Sequence, residues 1–250
     1  MSDLANHFGE RVAASYDDEA DVRFSAAHLE EESGFLADLA GDGGRALELA
    51  IGTGRVALPL AARGVEVHGI DLSEAMVARL RAKPRGAEIP VELGDFSTTQ
   101  AGVGLVGEFD LVYLVFNTIG NVASQEAQVA TFANAARHLR PGGCFVVETS
   151  VPGVLGAQDG RQFRVFDHSE EHVGVDEYDP VTQLMWSHHY TLTEDGTYRR
   201  ASVPFRYAWP AELDLMARLA GMELRERYEW WDRTPFTAES ESHVSVWEKG

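Results

Sequence analysis

An α/β fold, a mostly parallel sheet with helices on both faces, is what this sequence predicts, and three observations predict it. Between residues 44 and 150 short apolar runs alternate with stretches of helical spacing, the pattern of βαβ units with right-handed crossovers. A glycine-bearing loop, Gly52-Thr53-Gly54, follows the first of those runs. The 250 residues are 44% hydrophobic and 24% charged, proportions that allow a substantial buried core.

Taken in order, residues 1–43 read as an N-terminal helical cap. Phe8, Val12 and Tyr16 recur at helical spacing, and so do Leu29, Phe35, Leu36 and Leu39. Strands are expected at 46–51, 65–70, 89–93, 111–116 and 144–149. Helices are expected between them at 57–63, 74–83 and 125–140, with Ser73 as an N-cap and Pro141-Gly142-Gly143 as the stop before the fifth strand. From 151 to 209 the period changes to alternation of polar and apolar residues, at 162–166, 172–178, 183–193 and 198–209. This is an antiparallel β insert acting as a lid, with a hairpin turn at Glu194-Asp195-Gly196-Thr197. A helix over 210–221, opened by Pro210 and closed by Gly221, and strands at 222–231 and 244–248 complete one domain of 250 residues.

The charge narrows the partners. Forty acidic against 21 basic residues leave a formal charge of -19, a field that repels phosphate backbones and anionic lipid, so neither nucleic acid nor membrane is expected as a partner. No apolar run approaches the roughly 18 residues that cross a bilayer, and Met1-Ser-Asp-Leu-Ala-Asn-His-Phe8 lacks a basic segment followed by an apolar one. With Cys144 as the one cysteine, no disulfide framework forms within a chain, and a reducing, cytoplasmic location is expected.

The chemistry gathers at the carboxyl ends of the expected strands. Ala46-Leu-Glu-Leu-Ala-Ile-Gly-Thr-Gly-Arg55 is a strand, a loop where backbone amides can approach a ligand, and the start of a helix. Asp71 ends the next strand, about 20 residues on, where a carboxylate can accept two ribose hydroxyls. Gly94-Asp95-Phe96 follows the third, offering an acid and a ring to an adenine.

In these motifs, together with Phe109-Asp110 and Leu139-Arg-Pro-Gly-Gly143, all in the same order, the chain resembles the class I S-adenosylmethionine-dependent methyltransferases, firmly over 44–150. The resemblance implies a Rossmann-like, mostly parallel seven-stranded sheet whose last two strands form a reversed pair, with S-adenosylmethionine as cofactor. It implies that Glu48, Gly52 and Gly54 face the methionine portion, that Asp71 holds the ribose hydroxyls, and that Asp95 and Phe96 surround the adenine. Ala50, Arg55, Leu72, Met76, Phe116 and Thr118 complete the implied cofactor set. Ala50 stands where the family usually has glycine. Tyr16 resembles the tyrosine of family caps that fold over the methyl donor, so it is a candidate for both binding and catalysis.

Methyl transfer needs alignment and, for a hydroxyl or protonated amine, a base. Phe116-Asn-Thr-Ile-Gly-Asn121 is similar to a loop of amino-sugar N-methyltransferases, which carry histidine at the position of Asn121. Asparagine is no base at neutral pH. Asn117 and Thr118 remain candidates for contacts to cofactor or acceptor. Among His168, His172, His188 and His189, strand alternation puts His188 on a face with Leu184, Trp186, Tyr190 and Leu192, which makes it the candidate base. Their spacing does not single out a metal site, and none is expected. Phe205, Tyr207 and Trp209, with Trp186, Tyr190, Trp230 and Trp231, offer an apolar face to a small-molecule acceptor.

Two rival functions fit parts of this pattern. A nicotinamide oxidoreductase would bring a third loop glycine, where Ala57 stands, although alanine is tolerated there. A non-catalytic cofactor-binding protein would share the loop and Asp71.

Overall fold

The computed structural model describes residues 9–18, 24–152, 162–193 and 195–250. Phe8, the opening of the insert at 153–161 and Glu194 of the expected hairpin turn lie outside the described residues.

Eleven strands among the described residues form two sheets. The first is β1 (Arg45–Leu49), β2 (Glu66–Asp71), β3 (Val91–Leu93), β4 (Phe109–Leu114), β5 (Leu139–Ser150), β10 (Met222–Tyr228) and β11 (Ser242–Lys249), in the order β10-β11-β5-β4-β1-β2-β3. Strands β1 to β5 pair in parallel, while β11 runs antiparallel to both β5 and β10. This is the seven-stranded, mostly parallel sheet with a reversed last pair that the family resemblance implies. Its two faces carry separate cores. Helices α2 (Ala26–Ala40) and α3 (Ala57–Ala62) press Phe35, Leu36 and Leu60 onto Ala46, Leu111, Tyr113 and Val146. On the other face α5 (Gln125–His138) and α6 (Pro210–Leu219) bring Phe132, Leu213 and Met216 against Leu47, Val112, Phe145 and Trp247. Serine caps open three helices: Ser25, Ser73 and Ser124 accept the amides of His28, Met76 and Ala127, with Ser73 opening α4 (Glu74–Ala82).

Local differences from expectation have physical reasons. Among the described residues the cap holds a short helix α1 (Glu10–Ser15), a 3-10 turn Tyr16–Asp18, and α2. The fifth strand starts at Leu139 rather than 144, because Pro141-Gly142-Gly143 is a bulge inside β5 and not a break before it. Leu139 already pairs with Phe109, and the register slips before Leu111 meets Cys144. Gly142 takes a φ of 78°, and a Cβ on Gly143 would stand 3.0 Å from the Phe109 carbonyl oxygen.

The second sheet is the insert, β6 (Gln162–His168), β7 (His172–Asp179), β8 (Leu184–Leu192) and β9 (Tyr198–Arg206), antiparallel throughout. Arg206, 4% exposed, moors it to the helices. Its guanidinium donates to Gln128 of α5, to Gln183 and to Glu212 of α6, while the Gln128 amide donates to the carbonyls of Ile119 and Arg206. The insert thereby meets the 3-10 turn Thr118–Asn121 that follows β4, where the Phe205 ring lies 3.4 Å from the place a Cβ would take on Gly120.

Candidate active site

The glycine loop bends through three residues in the left-handed region, Ala50 at φ 58°, Gly52 at 55° and Gly54 at 78°. Glycine is required at position 54 on two counts, since a Cβ there would also stand 2.4 Å from Leu80 Cδ1. Ala50 adopts the conformation for which glycine is the ordinary choice, at a cost of about 1–2 kcal/mol. Ala50→Gly relieves that cost but gives back part of it as unfolded-chain entropy. A net gain of roughly 0.5 kcal/mol, about 1–2 °C in Tm, is expected by scanning calorimetry. A lower Tm would mean that the Ala50 methyl packs better than its backbone suffers.

Asp71 holds the loop from the neighbouring strand. Its Oδ2 accepts the Gly52 amide at 2.7 Å and its Oδ1 accepts the Ser73 amide at 2.7 Å. Burial pushes its pKa up, opposed by amide bonds from Ser73, Gly52 and Leu72. Glu48, 4% exposed, ends β1 on the other side of the loop and accepts the Tyr113 hydroxyl at 3.0 Å. Its pKa is raised well above the usual carboxylate value, first by burial, with the Tyr113 bond and the Arg55 charge opposing. Two desolvated carboxylates at adjacent strand ends suit a ligand with positive charge at one end and hydroxyls at the other, the groups that S-adenosylmethionine carries.

The cap docks onto the same loop. Asp17 accepts the Thr53 hydroxyl at 2.6 Å and pairs with Lys83 at 2.8 Å, and Lys83 also donates to the Thr53 carbonyl. Arg55 meets Glu32 of α2 through two bonds of 2.8 and 3.3 Å, with side chains 9% and 1% exposed. Its guanidinium also lies over the rings of Phe116 and Phe24, at 4.9 and 5.7 Å from their centroids. Tyr16, Phe24 and Phe116 pack edge to face, with centroids 5.7–6.3 Å apart. Tyr16, Arg55 and Phe116 are thus brought together.

Beyond β4 the backbone is strained. Phe116 and Asn117 both take positive φ, 61° and 56°, and the buried Glu148 carboxylate holds them by accepting their amides at 2.5 and 3.3 Å. The Asn117 side-chain oxygen accepts the Thr149 hydroxyl at 2.5 Å and the Ser150 amide at 3.2 Å, tying the ends of β4 and β5. Thr118 is half-buried at the start of the turn. At the edge of the sheet, Asp95 accepts the amide and hydroxyl of Ser97, and Phe96 packs against the second core. Leu72 is 40% exposed after β2, and Met76 lies buried beneath Gly52.

His188 stands apart from this assembly. On β8 it is 6% exposed, its Nδ1 within 2.8 Å of the Ser202 hydroxyl and 3.0 Å of Arg200, its Nε2 3.3 Å from Glu177. Register sets it opposite Ser202, on the face that Phe205 does not share. Of the aromatic series, Phe205 reaches the turn after β4 and Tyr207 packs on Tyr178; Trp231 is core, and Trp186 and Trp209 are exposed.

Sequence reasoning missed Glu32, Tyr113 and Glu148. Glu32 alone had a local signal, an acid inside the apolar stripe Leu29, Phe35, Leu36 of a helix.

Residues 46–143 match the family described as a methyltransferase domain. Among solved structures, the chain is similar to the CcbJ methyltransferase from Streptomyces caelestis: 36% identity, a TM-score of 0.82, and coverage of 97% of this chain and 98% of that one. Among curated proteins it is similar to the cypemycin N-terminal methyltransferase of a Streptomyces species, 27% identical over 214 residues, 83% of this chain and 84% of that protein. An amino pentose methyltransferase from Micromonospora echinaspora involved in calicheamicin biosynthesis, solved with S-adenosylmethionine bound, shares the fold at a TM-score of 0.67 and 19% identity, covering 96% of each chain. The nicotinamide alternative is not favoured by any of these. With a relative this similar along its whole length, and with the loop and its two carboxylates in place, the chain belongs to the S-adenosylmethionine-dependent methyltransferases.

Proposed function

We propose that this enzyme methylates a nitrogen atom, or failing that an oxygen atom, of a small-molecule acceptor in cytoplasmic natural-product metabolism. One observation carries the reading. The strained pair Phe116-Asn117 lies between the aromatic and arginine cluster of the glycine loop and the insert that covers Gly120, so a small molecule beside it would touch both. No described helix is long and apolar enough to cross a membrane. Two similar proteins, an N-terminal methyltransferase and an amino pentose methyltransferase, support a nitrogen acceptor.

In this reading Glu48 receives the cofactor's ammonium group, the loop residues Ala50, Gly52 and Gly54 receive its methionine backbone, and Asp71 receives the ribose hydroxyls. Leu72, Met76, Asp95 and Phe96 border the adenine, and Arg55, with Tyr16, Phe116 and Thr118, closes the methyl-bearing end. Bound there, the cofactor supplies a methyl group activated on a sulfonium. Tyr16 and Asn117 align the acceptor, and Phe116 excludes water from it. The 250 residues act as one methyltransferase domain, with 1–43 as cap, 44–150 as cofactor core, 151–209 as lid and 210–250 completing the sheet.

Titration calorimetry with S-adenosylhomocysteine, beside NADH, tests the cofactor half. Saturable binding of the first alone is expected, with affinity that strengthens as pH rises above the ordinary carboxylate range. The sign follows from Glu48: with its pKa raised by burial, the free protein holds a proton there over part of the range above the ordinary carboxylate pKa, the ligand's ammonium must displace it, and the penalty vanishes once Glu48 is ionised. Affinity that weakens with pH would remove Glu48 from the ammonium site. Incubation of labelled S-adenosylmethionine with paired amino and hydroxy sugars tests the acceptor half, and label transfer to neither class would sink it.

For His188, engagement of both ring nitrogens within the insert supports a packing role. His188→Gln is expected to lower Tm by a few degrees and leave turnover within about twofold; a loss beyond about tenfold would restore it as the base.

A further inference from the structure

The ends of β4 and β5 hold the Asn117 side chain in a single orientation. Its Oδ1 accepts the Ser150 amide at 3.2 Å and the Thr149 hydroxyl at 2.5 Å. A backbone N–H bonds only to an acceptor, so the atom facing Ser150 is the oxygen and the amide cannot be turned over. The two bonds together use both lone pairs of that oxygen. What Asn117 has left to offer is its NH2 group, which donates and cannot accept.

That NH2 group lies in the turn itself, between the sheet and the insert. Nδ2 is 3.6 Å from the point that a Cβ on Gly120 would occupy, and Phe205 Cδ1 of the insert is 3.4 Å from the same point. Residue 120 has no side chain to fill it. Asn117 is half-buried, and among the described residues its Nδ2 makes no hydrogen bond and is not sealed from solvent. The backbone beneath is equally set, at a φ of 56°, with the Asn117 amide shared between the carboxylate and the main-chain oxygen of Glu148 at 3.3 and 3.2 Å. The donor is therefore aimed before any ligand arrives, and little ordering is left to be done on binding.

We propose that Asn117 determines specificity by donating to an uncharged oxygen on the carbon next to the acceptor's nitrogen, so that α-amino carbonyl compounds and 2-amino alcohols are preferred to plain alkyl amines and to α-amino acids. This rests on the acceptor reading above. The nitrogen's lone pair is committed to the methyl carbon, so the donor needs a separate acceptor atom. Asn117 is one residue, about 3.8 Å of chain, from Phe116 at the methyl-bearing end, which puts that atom within a few bonds of the reacting nitrogen. Charge decides which oxygen fits. The Glu148 carboxylate lies against the Phe116 and Asn117 amides, and the whole chain carries a formal charge of -19, so a carboxylate on the acceptor meets like charge where a carbonyl or hydroxyl meets none.

The test uses the whole protein saturated with S-adenosylhomocysteine, follows the Asn117 side-chain amide by nitrogen–proton NMR, and titrates glycinamide, 2-aminoethanol, glycine and ethylamine as probes. Before any probe is added, the Asn117 NH2 should exchange with water at least about tenfold faster than that of Asn134, whose Nδ2 donates to the Phe96 and Thr99 carbonyls. Its signals should then shift saturably with glycinamide or 2-aminoethanol, at concentrations about tenfold below those that ethylamine or glycine requires. The better of the two identifies the oxygen as carbonyl or hydroxyl. Asn117→Asp keeps an oxygen for Thr149 and Ser150 and tolerates the positive φ, but puts a charged acceptor in place of the donor. Read on the Phe116 backbone amide, the preference should shrink in this variant to within about twofold, and retained S-adenosylhomocysteine binding verifies that it is folded. With an amine methylated in the screen, Asn117→Asp should raise the KM for that acceptor about tenfold and leave the KM for S-adenosylmethionine unchanged. Protection of the Asn117 NH2 equal to that of Asn134 overturns the proposal. So does equal affinity for glycinamide, 2-aminoethanol and ethylamine, or a preference that survives Asn117→Asp. A screen that yields only hydroxyl acceptors overturns the nitrogen reading, and the exchange rate and the probe preference decide the Asn117 donor on their own.

Discussion

Replacing Asp71 with alanine weakens S-adenosylhomocysteine binding by about tenfold or more, an effect of at least about 1.4 kcal/mol. The carboxylate is 7% exposed and anchored by two amide bonds of 2.7 Å, so its orientation is set before any ligand arrives. Charge-assisted bonds from two ribose hydroxyls to such an acceptor contribute about 1.5–3 kcal/mol each when lost unpaired. The same substitution strips buried acceptors from the Gly52 and Ser73 amides, so Tm also falls. Measuring affinity well below the variant's Tm separates the two. Binding within about twofold of the parent would mean that the ribose lies elsewhere and that Asp71 serves the loop alone.

The second large effect is on stability. Glu32→Ala is expected to cost about 3 kcal/mol, or about 6–12 °C in Tm for a chain of this size. It removes the bidentate acceptor of an Arg55 guanidinium that is itself 9% exposed, and with it the partner of His28. Two charges taken from water are costly, and removing one leaves the other's desolvation uncompensated. The pair can be separated from its charge: Glu32→Ala with Arg55→Met should recover a large part of the loss in thermal unfolding, because the double variant buries no charge. Loss in the double variant equal to or greater than in the single one would show that Arg55 stabilises chiefly through Phe24 and Phe116.

Much of this architecture was legible along the chain because its signals are local. Apolar runs of strand length, Ser73 before Glu74 and Pro210 at a first turn act within a few residues of themselves. The glycine loop and Asp71 were legible for the same reason, separated only by one crossover. What escaped depends on contacts between distant segments. Leu139 belongs to β5 because Phe109 is available beside it, and Glu148 has meaning only once the ends of β4 and β5 are adjacent. Strand alternation correctly divided His188 from His189, but nothing within 184–192 tells which face meets the turn at Gly120. That choice is made by Phe205 and Arg206, on another strand. Ala50, visible in the sequence only as a residue standing where the family usually has glycine, holds a left-handed backbone with a side chain attached.

The position of β11 bears on how the molecule is made. Strand β5 is complete at Ser150, but the strand that covers its free edge begins at Ser242. At translation rates of about 5–20 residues per second, the ribosome needs roughly 5–20 s to deliver that partner. Throughout that interval Phe145, Val146 and Val147 lie on or beside an open edge, the form of chain most prone to pair with a neighbour on the same message. The sheet's last strand to be synthesised is interior to it, so closure of the sheet is a late, long-range and slow event. Overexpressed at speed, the enzyme should therefore lose yield to aggregation of nascent chains rather than to instability of the finished fold.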